Sequence, residues 1–557
     1  MSQSSDRPWF KYWPPHLPKT LDYPEVPLFN IVEVSSQRYP NKNAIIYYGN
    51  KITYRELWEN VLRFSAFLHN ELGVRKGDRV AIFMPNSVQW VIAYYGILRA
   101  NAILVPINPL IAEDELNYIL KDSGAVGVIT LSLYLNKVIK ARENTQVKWV
   151  IAGRFKDYLP QQPEIKIHPL VQKEPEIDVK DVILWRDSLR NNYSPPQVEV
   201  KAEDIAVIPY TSGTTGFPKG CIHTHSTIWP TILGSVVWNM VTPSAVVLSS
   251  LPVFHVTGFV HSLNAPLYIG ATMVLLSVWD REAAVDAIEK YRITHWTNIS
   301  TMVVDLLALP GIEKRNLSSL ILIGGGGAAM PEAVAKRLKE LTGLDYIEGY
   351  GLTETMSQTH VNPPNRPKLQ CLGIPHFGVD ALVIDPVTGE VLPPNKEGEI
   401  VVKCPSLFKG YWNKDEETRK SFITINGIEY FRTGDLGYMD EEGYFFIVDR
   451  IKRMINRAGY KVWPTKVENK LYQHPAVLEA CVVASPDPRV GEEVKAYIVL
   501  KPEYKGKVTA DEIREWCKQH MSAYEYPRII EFVDSLPKSG SGKILWRVLQ
   551  EKEKGIK

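Results

Sequence analysis

Thr211-Ser-Gly-Thr-Thr-Gly-Phe-Pro-Lys-Gly220 is the stretch that decides how this chain folds. Its glycines let the backbone come close to an anion and aim successive N–H groups at it. The hydroxyls of Thr211, Ser212, Thr214 and Thr215 add donors, and Lys219 adds a positive charge. Upstream, Ile205-Ala-Val-Ile-Pro-Tyr210 reads as a buried strand. That places the loop at a strand's carboxyl end, where α/β proteins bind ligands. The pattern is a phosphate loop but not a Walker A loop, which needs Gly-Lys-Ser/Thr; here Lys219 follows a proline and precedes Gly220.

Around the loop the chain has the length and balance of a multidomain globular protein. Its 557 residues exceed what one core usually supports, so two or three domains are expected. With 64 Lys and Arg against 62 Asp and Glu, the net charge is +2. So even a balance gives no electrostatic reason to expect nucleic acid or an anionic membrane as partner. The cysteines (221, 371, 404, 481 and 517) are scattered, odd in number and without a C-x-x-C pair, which points to free thiols in a reducing compartment. The amino terminus has no apolar signal region. The most membrane-like run, Val88 to Ile111, is broken by Gln89, Trp90, Arg99 and Asn101 short of the about 20 apolar residues a span needs. It reads as a core helix followed by the strand Ala102–Val105. A cytoplasmic protein without stable membrane insertion is expected.

Working outward, the first 28 residues carry Trp9, Phe10, Tyr12, Trp13, Pro14 and Pro15, a composition for an extended arm rather than a regular element. From Gly77 a strand–helix–strand rhythm begins with Arg79–Met84. Strand candidates recur at Gly127, Val150, Ala245, Thr272 and Leu320, which implies parallel sheets covered by helices. After Pro363 short strands and turns take over, so a β-rich subdomain is expected over about 364–449. Beyond Arg450 lies a separate α+β unit, with a helix over 464–473 and strands at Cys481–Ala484 and Ala496–Leu500. The predicted division is 1–449 and 450–557.

Four more segments follow in order: Tyr350-Gly-Leu-Thr-Glu-Thr355, Tyr430-Phe-Arg-Thr-Gly-Asp-Leu-Gly437, Asp449-Arg-Ile-Lys-Arg-Met-Ile455 and Pro537-Lys-Ser-Gly-Ser-Gly-Lys-Ile544. With the phosphate loop they resemble the signature series of the adenylate-forming superfamily, which contains acyl-CoA synthetases, beetle luciferases and peptide-synthetase adenylation domains. The likeness runs from about Ile52-Thr-Tyr-Arg-Glu-Leu57 to Ile544, nearly the whole chain.

The resemblance implies an α/β fold with a large N-terminal domain and a smaller, mobile α+β C-terminal domain. It also implies attack of a carboxylate on the α-phosphate of ATP, giving an acyl-adenylate and pyrophosphate, followed by transfer to a thiol. Negative charge gathers on phosphate oxygens, so catalysis is mostly positioning and cationic stabilisation. Carried over position by position, Thr211, Ser212, Gly213, Thr214, Thr215, Gly216 and Lys219 would hold the β- and γ-phosphates. Glu354, with Thr214, would anchor Mg²⁺. Tyr350 would back the adenine, with the turn Gly324-Gly-Gly-Gly-Ala328 (Gly326, Gly327 and Ala328 nearest) at the base edge, and with Gly351 and Thr353 beside it. Four consecutive glycines cost backbone entropy when ordered, about 0.5–1 kcal/mol each, so they are expected to serve close ligand approach. Asp435 would take the ribose hydroxyls with Arg450 alongside. Lys543 would bridge carboxylate and α-phosphate, Lys452 would be a hinge, and Ala458, Gly459 and Tyr460 would line the coenzyme A channel. Cys221, His223 and His225 are expected to pack rather than bind metal, because the family carries a similar Lys-Gly-x-x-His-Thr-His after its phosphate loop.

The function implied is an AMP-forming acid–CoA ligase using ATP, Mg²⁺ and coenzyme A; the sequence does not decide between monomer and homodimer. Peptide-synthetase adenylation domains place an aspartate after the equivalent of Phe254; here His255 stands there. A luciferase-type oxygenase shares these motifs. A scaffold that only binds nucleotide would be expected to lack Lys543 or Glu354. Acetyl-CoA synthetases have two tryptophans where this chain has Tyr350 and Gly351. The missing second ring is expected to open a cavity walled by His255, Trp279, Met302, Val303 and Gly326. A medium-chain acid or a short hydroxy acid is expected rather than acetate, with long-chain acids as the alternative.

Overall fold

The computed structural model describes residues 7–211, 218–450, 453–458, 460–539 and 543–555. Two mainly parallel sheets carry the large N-terminal domain. One runs Ile183–Leu184, Trp149–Gly153, Gly127–Leu131, Arg79–Phe83, Ile103–Ile107, Ile205–Val207, His223–Thr224, with only the last pair antiparallel. The other centres on the parallel strands Tyr346–Leu352, Leu322–Gly326, His295–Asn298, Val246–Ser249, Thr272–Leu275 and Asn43–Tyr47, with antiparallel strands at both ends. The largest core cluster draws apolar residues from both sheets. It includes the helix Val88–Arg99, whose residues up to Leu98 are all buried. A helix apolar on every side belongs in a protein interior. Among the described residues no helix is long and apolar enough to cross a membrane.

A five-stranded antiparallel sheet follows, built from Asp380–Ile384, Gly398–Lys403, Phe422–Ile425, Ile428–Met439 and Phe445–Arg450. The smaller C-terminal domain pairs Val477–Asp487 with Gly491–Leu500 and packs the helices Pro464–Leu471, Ala510–His520 and Trp546–Glu553 around that hairpin.

The amino-terminal arm departs from expectation. Pro8–Lys11 form a 3₁₀ turn, and Trp9 and Trp13 are 2% and 7% exposed. Trp13 meets Trp238 edge-on at 4.9 Å and Phe377 at 5.2 Å, while Trp9 lies 6.3 Å from Phe445. Burying rings of this size outweighs the weak local propensity of a Pro-rich segment, so the arm is anchored to the β-rich sheet.

The run Gly324–Gly327 also differs from the expected turn. Gly324, Gly325 and Gly326 close the strand Leu322–Gly326. A Cβ on Gly325 would lie 1.8 Å from the carbonyl oxygen of Asn298, and one on Gly326 would lie 2.3 Å from that of Gly349. Close approach of neighbouring backbones demands these glycines, and all of them also line the cavity described below. Only Gly327, at φ +89°, bends away toward the site.

Candidate active site

The phosphate loop grows from the strand Ile205–Val207 and is pinched at its base. Tyr210 bridges Gly220, the Thr211 N–H donates to Lys219 O at 2.9 Å, and the Lys219 N–H donates to Thr211 Oγ1 at 3.2 Å. Ser212, Gly213, Thr214, Thr215 and Gly216 lie outside the described residues, as do Lys452 and Gly459.

Lys219 Nζ sits 3.1 Å from the Glu417 carboxylate and 4.3 Å from the centre of the Tyr411 ring. Tyr411 in turn donates its hydroxyl to Glu354 Oε1 at 2.7 Å. Glu354 lies in the turn between the strands Tyr346–Leu352 and Ser357–Val361, so no helix dipole explains its presence. Tyr411 and Glu417 were not singled out from sequence; the only signal was their nearness to the aromatic turn Gly410-Tyr-Trp412.

Asp435 lies within the strand Ile428–Met439 and is 1% exposed. The Tyr350 hydroxyl donates to its Oδ2 at 2.6 Å. Arg450 Nε stands 3.1 Å from Oδ1, yet Oδ1 receives no hydrogen bond. The Arg450 charge thus offsets the cost of burying this oxygen. Burial, followed by the Asp435 charge, drives the Tyr350 phenol well above its ordinary range and keeps it a donor.

Lys543 comes from the C-terminal domain and reaches into the same cavity, which has a volume of about 720 Å³ and also contains His255, Glu354, Tyr350 and Arg450 in its walls. Its Cε lies 2.6 Å from where a Gly327 Cβ would stand, so this glycine makes room for the lysine stem. Loss of solvent, and then the Arg450 charge, bring the ammonium down to about 8, with Asp435 opposing. An arriving phosphate would reverse that depression, since an anion favours the charged form. Burial and the Lys543 charge together push His255 down to about 3, so it is a neutral imidazole.

The other candidates divide. Gly326, Gly351 and Thr353 line the cavity, and Ala328 sits exposed in the bend beyond it. Trp279 and Met302, with Phe254, line a second cavity of about 950 Å³, whose wall continues into the C-terminal domain at Leu478, Lys501 and Lys538. Trp279 donates to Asp305 at 2.8 Å and stacks on Trp296 at 5.8 Å. Val303 is fully buried in the core and lines neither space. Gly351 is not the opening expected of it. A Cβ there would meet the Ser357 carbonyl oxygen at 1.7 Å, so its missing side chain makes room for the neighbouring strand. Met356 and Ser357 both have positive φ, +47° and +91°, a strain of order 1–3 kcal/mol per residue of the kind held at functional sites.

His223 bonds the Thr353 carbonyl at 2.9 Å and His225 accepts from the Leu28 N–H at 3.1 Å. Burial holds both near 4, so they are neutral packing residues that tie the loop to the strand end. Ala458 and Tyr460 face solvent; Tyr460 is 59% exposed and stacks on Tyr524 at 5.1 Å.

The base of the Thr211–Lys219 loop and Lys543 from the C-terminal domain thus line one cavity, with the buried Asp435 carboxylate beside it. The family model for AMP-binding enzymes matches residues 32–412, and the model for the C-terminal domain of AMP-binding enzymes matches 466–543. The chain belongs to this family, with acyl-CoA ligase character. It is 37% identical to a long-chain-fatty-acid–CoA ligase of Bacillus subtilis, over 99% of this chain and 98% of that protein. It is 33% identical to a feruloyl-CoA synthase of Amycolatopsis, over 91% and 95%. Among solved structures it resembles an anthranilate CoA ligase in complex with anthranoyl-AMP (TM-score 0.83, 29% identity, 97% of this chain and 98% of that one). It also resembles ATP-bound MatB from Rhodopseudomonas palustris (TM-score 0.81, 27% identity, 95% and 100%).

Proposed function

We propose that the protein is an ATP-dependent carboxylic acid–CoA ligase that forms an acyl-adenylate with release of pyrophosphate and then passes the acyl group to coenzyme A. The observation that carries this reading is the seat of Lys543: a C-terminal lysine delivered into the cavity that Tyr350, Glu354 and Arg450 line, with Asp435 bonded to Tyr350 behind it. In this arrangement Lys543 donates to the oxygens shared between carboxylate and α-phosphate, Asp435 Oδ1 accepts from the ribose, and Lys219 exchanges Glu417 for the outer phosphates. Magnesium, when bound, neutralises phosphate charge. Glu354 fits it, because Tyr411 occupies one carboxylate oxygen and leaves the other toward the cavity. Thr214 is the second residue proposed to hold the ion.

Residues 1–449 are the adenylating unit in this proposal, with 450–557 turning about Lys452 to exchange the Lys543 face for the Ala458-Gly459-Tyr460 face. The solvent-facing Tyr460 fits a loop that is idle while Lys543 is engaged. All five cysteines are free, which fits the cytoplasm. For the acid we favour a medium-chain fatty acid or a short hydroxy acid such as 4-hydroxybutyrate over acetate, with long-chain acids second because of the Bacillus relative. AMP release should require both an acid and coenzyme A across a panel from acetate to palmitate, including hydroxy and aryl acids. Release without coenzyme A, or exchange driven only by amino acids, would sink the proposal.

A further inference from the structure

The strand Ile428–Met439 is irregular where it passes the cavity. Against the strand Gly398–Lys403, Glu399 pairs with Leu436 and Val401 with Arg432, so Ile400 alone faces Thr433, Gly434 and Asp435. A bulge puts surplus residues on one strand, bends it and re-aims a side chain, and bulges gather beside active sites. Here the surplus is two residues, and because side chains alternate with period two the flanking residues keep their faces. Only Thr433–Asp435 leave this ladder. On the strand's other edge Asp435 stands opposite Arg450, and its carboxylate takes the Tyr350 hydroxyl at 2.6 Å. The bulge thus sets where Asp435 sits.

Backbone groups lifted out of a ladder need other partners. The N–H of Gly434, a residue at φ +70°, donates to Glu399 Oε1 at 3.2 Å. The Asp435 N–H donates to Thr433 Oγ1 at 3.1 Å, and the Thr433 hydroxyl donates to the Ile400 carbonyl at 2.6 Å. Glu399 is 3% exposed, and a charge so buried needs a counter-charge. Arg432 supplies it, with Nε at 3.0 Å and Nη2 at 2.5 Å from Oε2. The two carboxylate oxygens have separate tasks, one for the guanidinium and one for the bulge. Glu399, Thr433 and Gly434 border the same cavity as Lys543.

We propose that Glu399 and Thr433 are positioning residues for the nucleotide, holding the bulge so that Asp435 meets the ribose. This rests on the proposed function, through the ribose role given there to Asp435.

The test separates positioning from folding. Calorimetry should show the Kd for ATP rising about five- to fiftyfold in Glu399→Ala and in Thr433→Val, the span expected when one backbone group loses its partner. Glu399→Gln keeps an acceptor for the Gly434 N–H and should fall between the wild type and Glu399→Ala. Deoxy-ATP lacking either the 2′ or the 3′ hydroxyl should bind the wild type more weakly than ATP, and Glu399→Ala and Thr433→Val should narrow that gap. In pyrophosphate exchange the KM for the acid should stay near its wild-type value. On an Asp435→Ala background neither substitution should weaken ATP further, because the residue they position is gone. Thr433→Val carries the test should Glu399→Ala fold poorly. Unchanged ATP affinity in both variants, parallel losses for ATP and acid, or additive losses on the Asp435→Ala background would overturn the assignment while leaving the ligase reading intact. A wild type blind to the ribose hydroxyls would remove the role of Asp435, and this assignment with it. Nucleotide binding as expected, with no exchange on any acid, would instead overturn the ligase reading and leave the bulge in its role.

Discussion

In the proposed reaction Lys543 carries the adenylation step, and its surroundings predict a pH limb. With the ammonium brought down to about 8 by burial and Arg450, the cationic form predominates below that value and is lost above it. Pyrophosphate exchange, expressed as kcat/KM, should therefore fall as pH rises through about 8. Lys543→Ala should lower adenylation by about 10²–10³-fold, the usual cost of one transition-state donor. It should also erase the limb, while a supplied acyl-adenylate still gives thioester with coenzyme A. Equal damage to both half-reactions would make the lysine structural. Asp435→Ala should raise the KM for ATP by about tenfold to a hundredfold, since a hydrogen bond to a charged group contributes about 1.5–3 kcal/mol; unchanged affinity in a folded variant would contradict the ribose role. Both residues were singled out only through the resemblance of the whole motif series; alone, Thr-Gly-Asp reads as a turn and Gly-Lys-Ile as a solvated lysine.

At the scale of elements, the strands and helices were largely readable from apolar runs, while the packing that demands the glycines was not. Sequence shows that a side chain is missing at 324–326 and 351, but not whether a ligand or a neighbouring strand fills the space. The Cβ directions answer that, and they point at backbone carbonyls. Gly351→Trp should therefore act as a folding lesion rather than as a shortened acyl pocket. A cost of at least about 3 kcal/mol is expected for forced overpacking of this kind. Thermal denaturation should show a clear loss of Tm, with activity on all chain lengths falling in parallel. A stable variant that lost only the longer acids would restore the idea of an opened pocket. The amino-terminal arm was misread for a related reason: Pro and aromatic composition predicts local irregularity, and it says nothing of a distant surface ready to bury the rings.

For the whole molecule, the motif order implied a large and a small unit. In the structure Lys543 of the smaller one lines the cavity of the larger, while Ala458 and Tyr460 face water. If turning about Lys452 brings the second face inward, Gly459→Leu should spare pyrophosphate exchange and block thioester formation. Loss of exchange in that variant would count against the channel. Coupling of this kind leaves no trace in any single segment, since it belongs to the relation between two segments more than 80 residues apart.

The anchoring of Trp9 and Trp13 also bears on how the chain comes to be made. The rings that receive them, Phe377 and Phe445, leave the ribosome hundreds of residues later. Trp9 and Trp13 must therefore wait, exposed, while both parallel sheets form. At about 5–20 residues per second that interval is tens of seconds. This aromatic segment is thus among the last parts to be secured, and the interval before closure is when a nascent molecule would present sticky surface to chaperones.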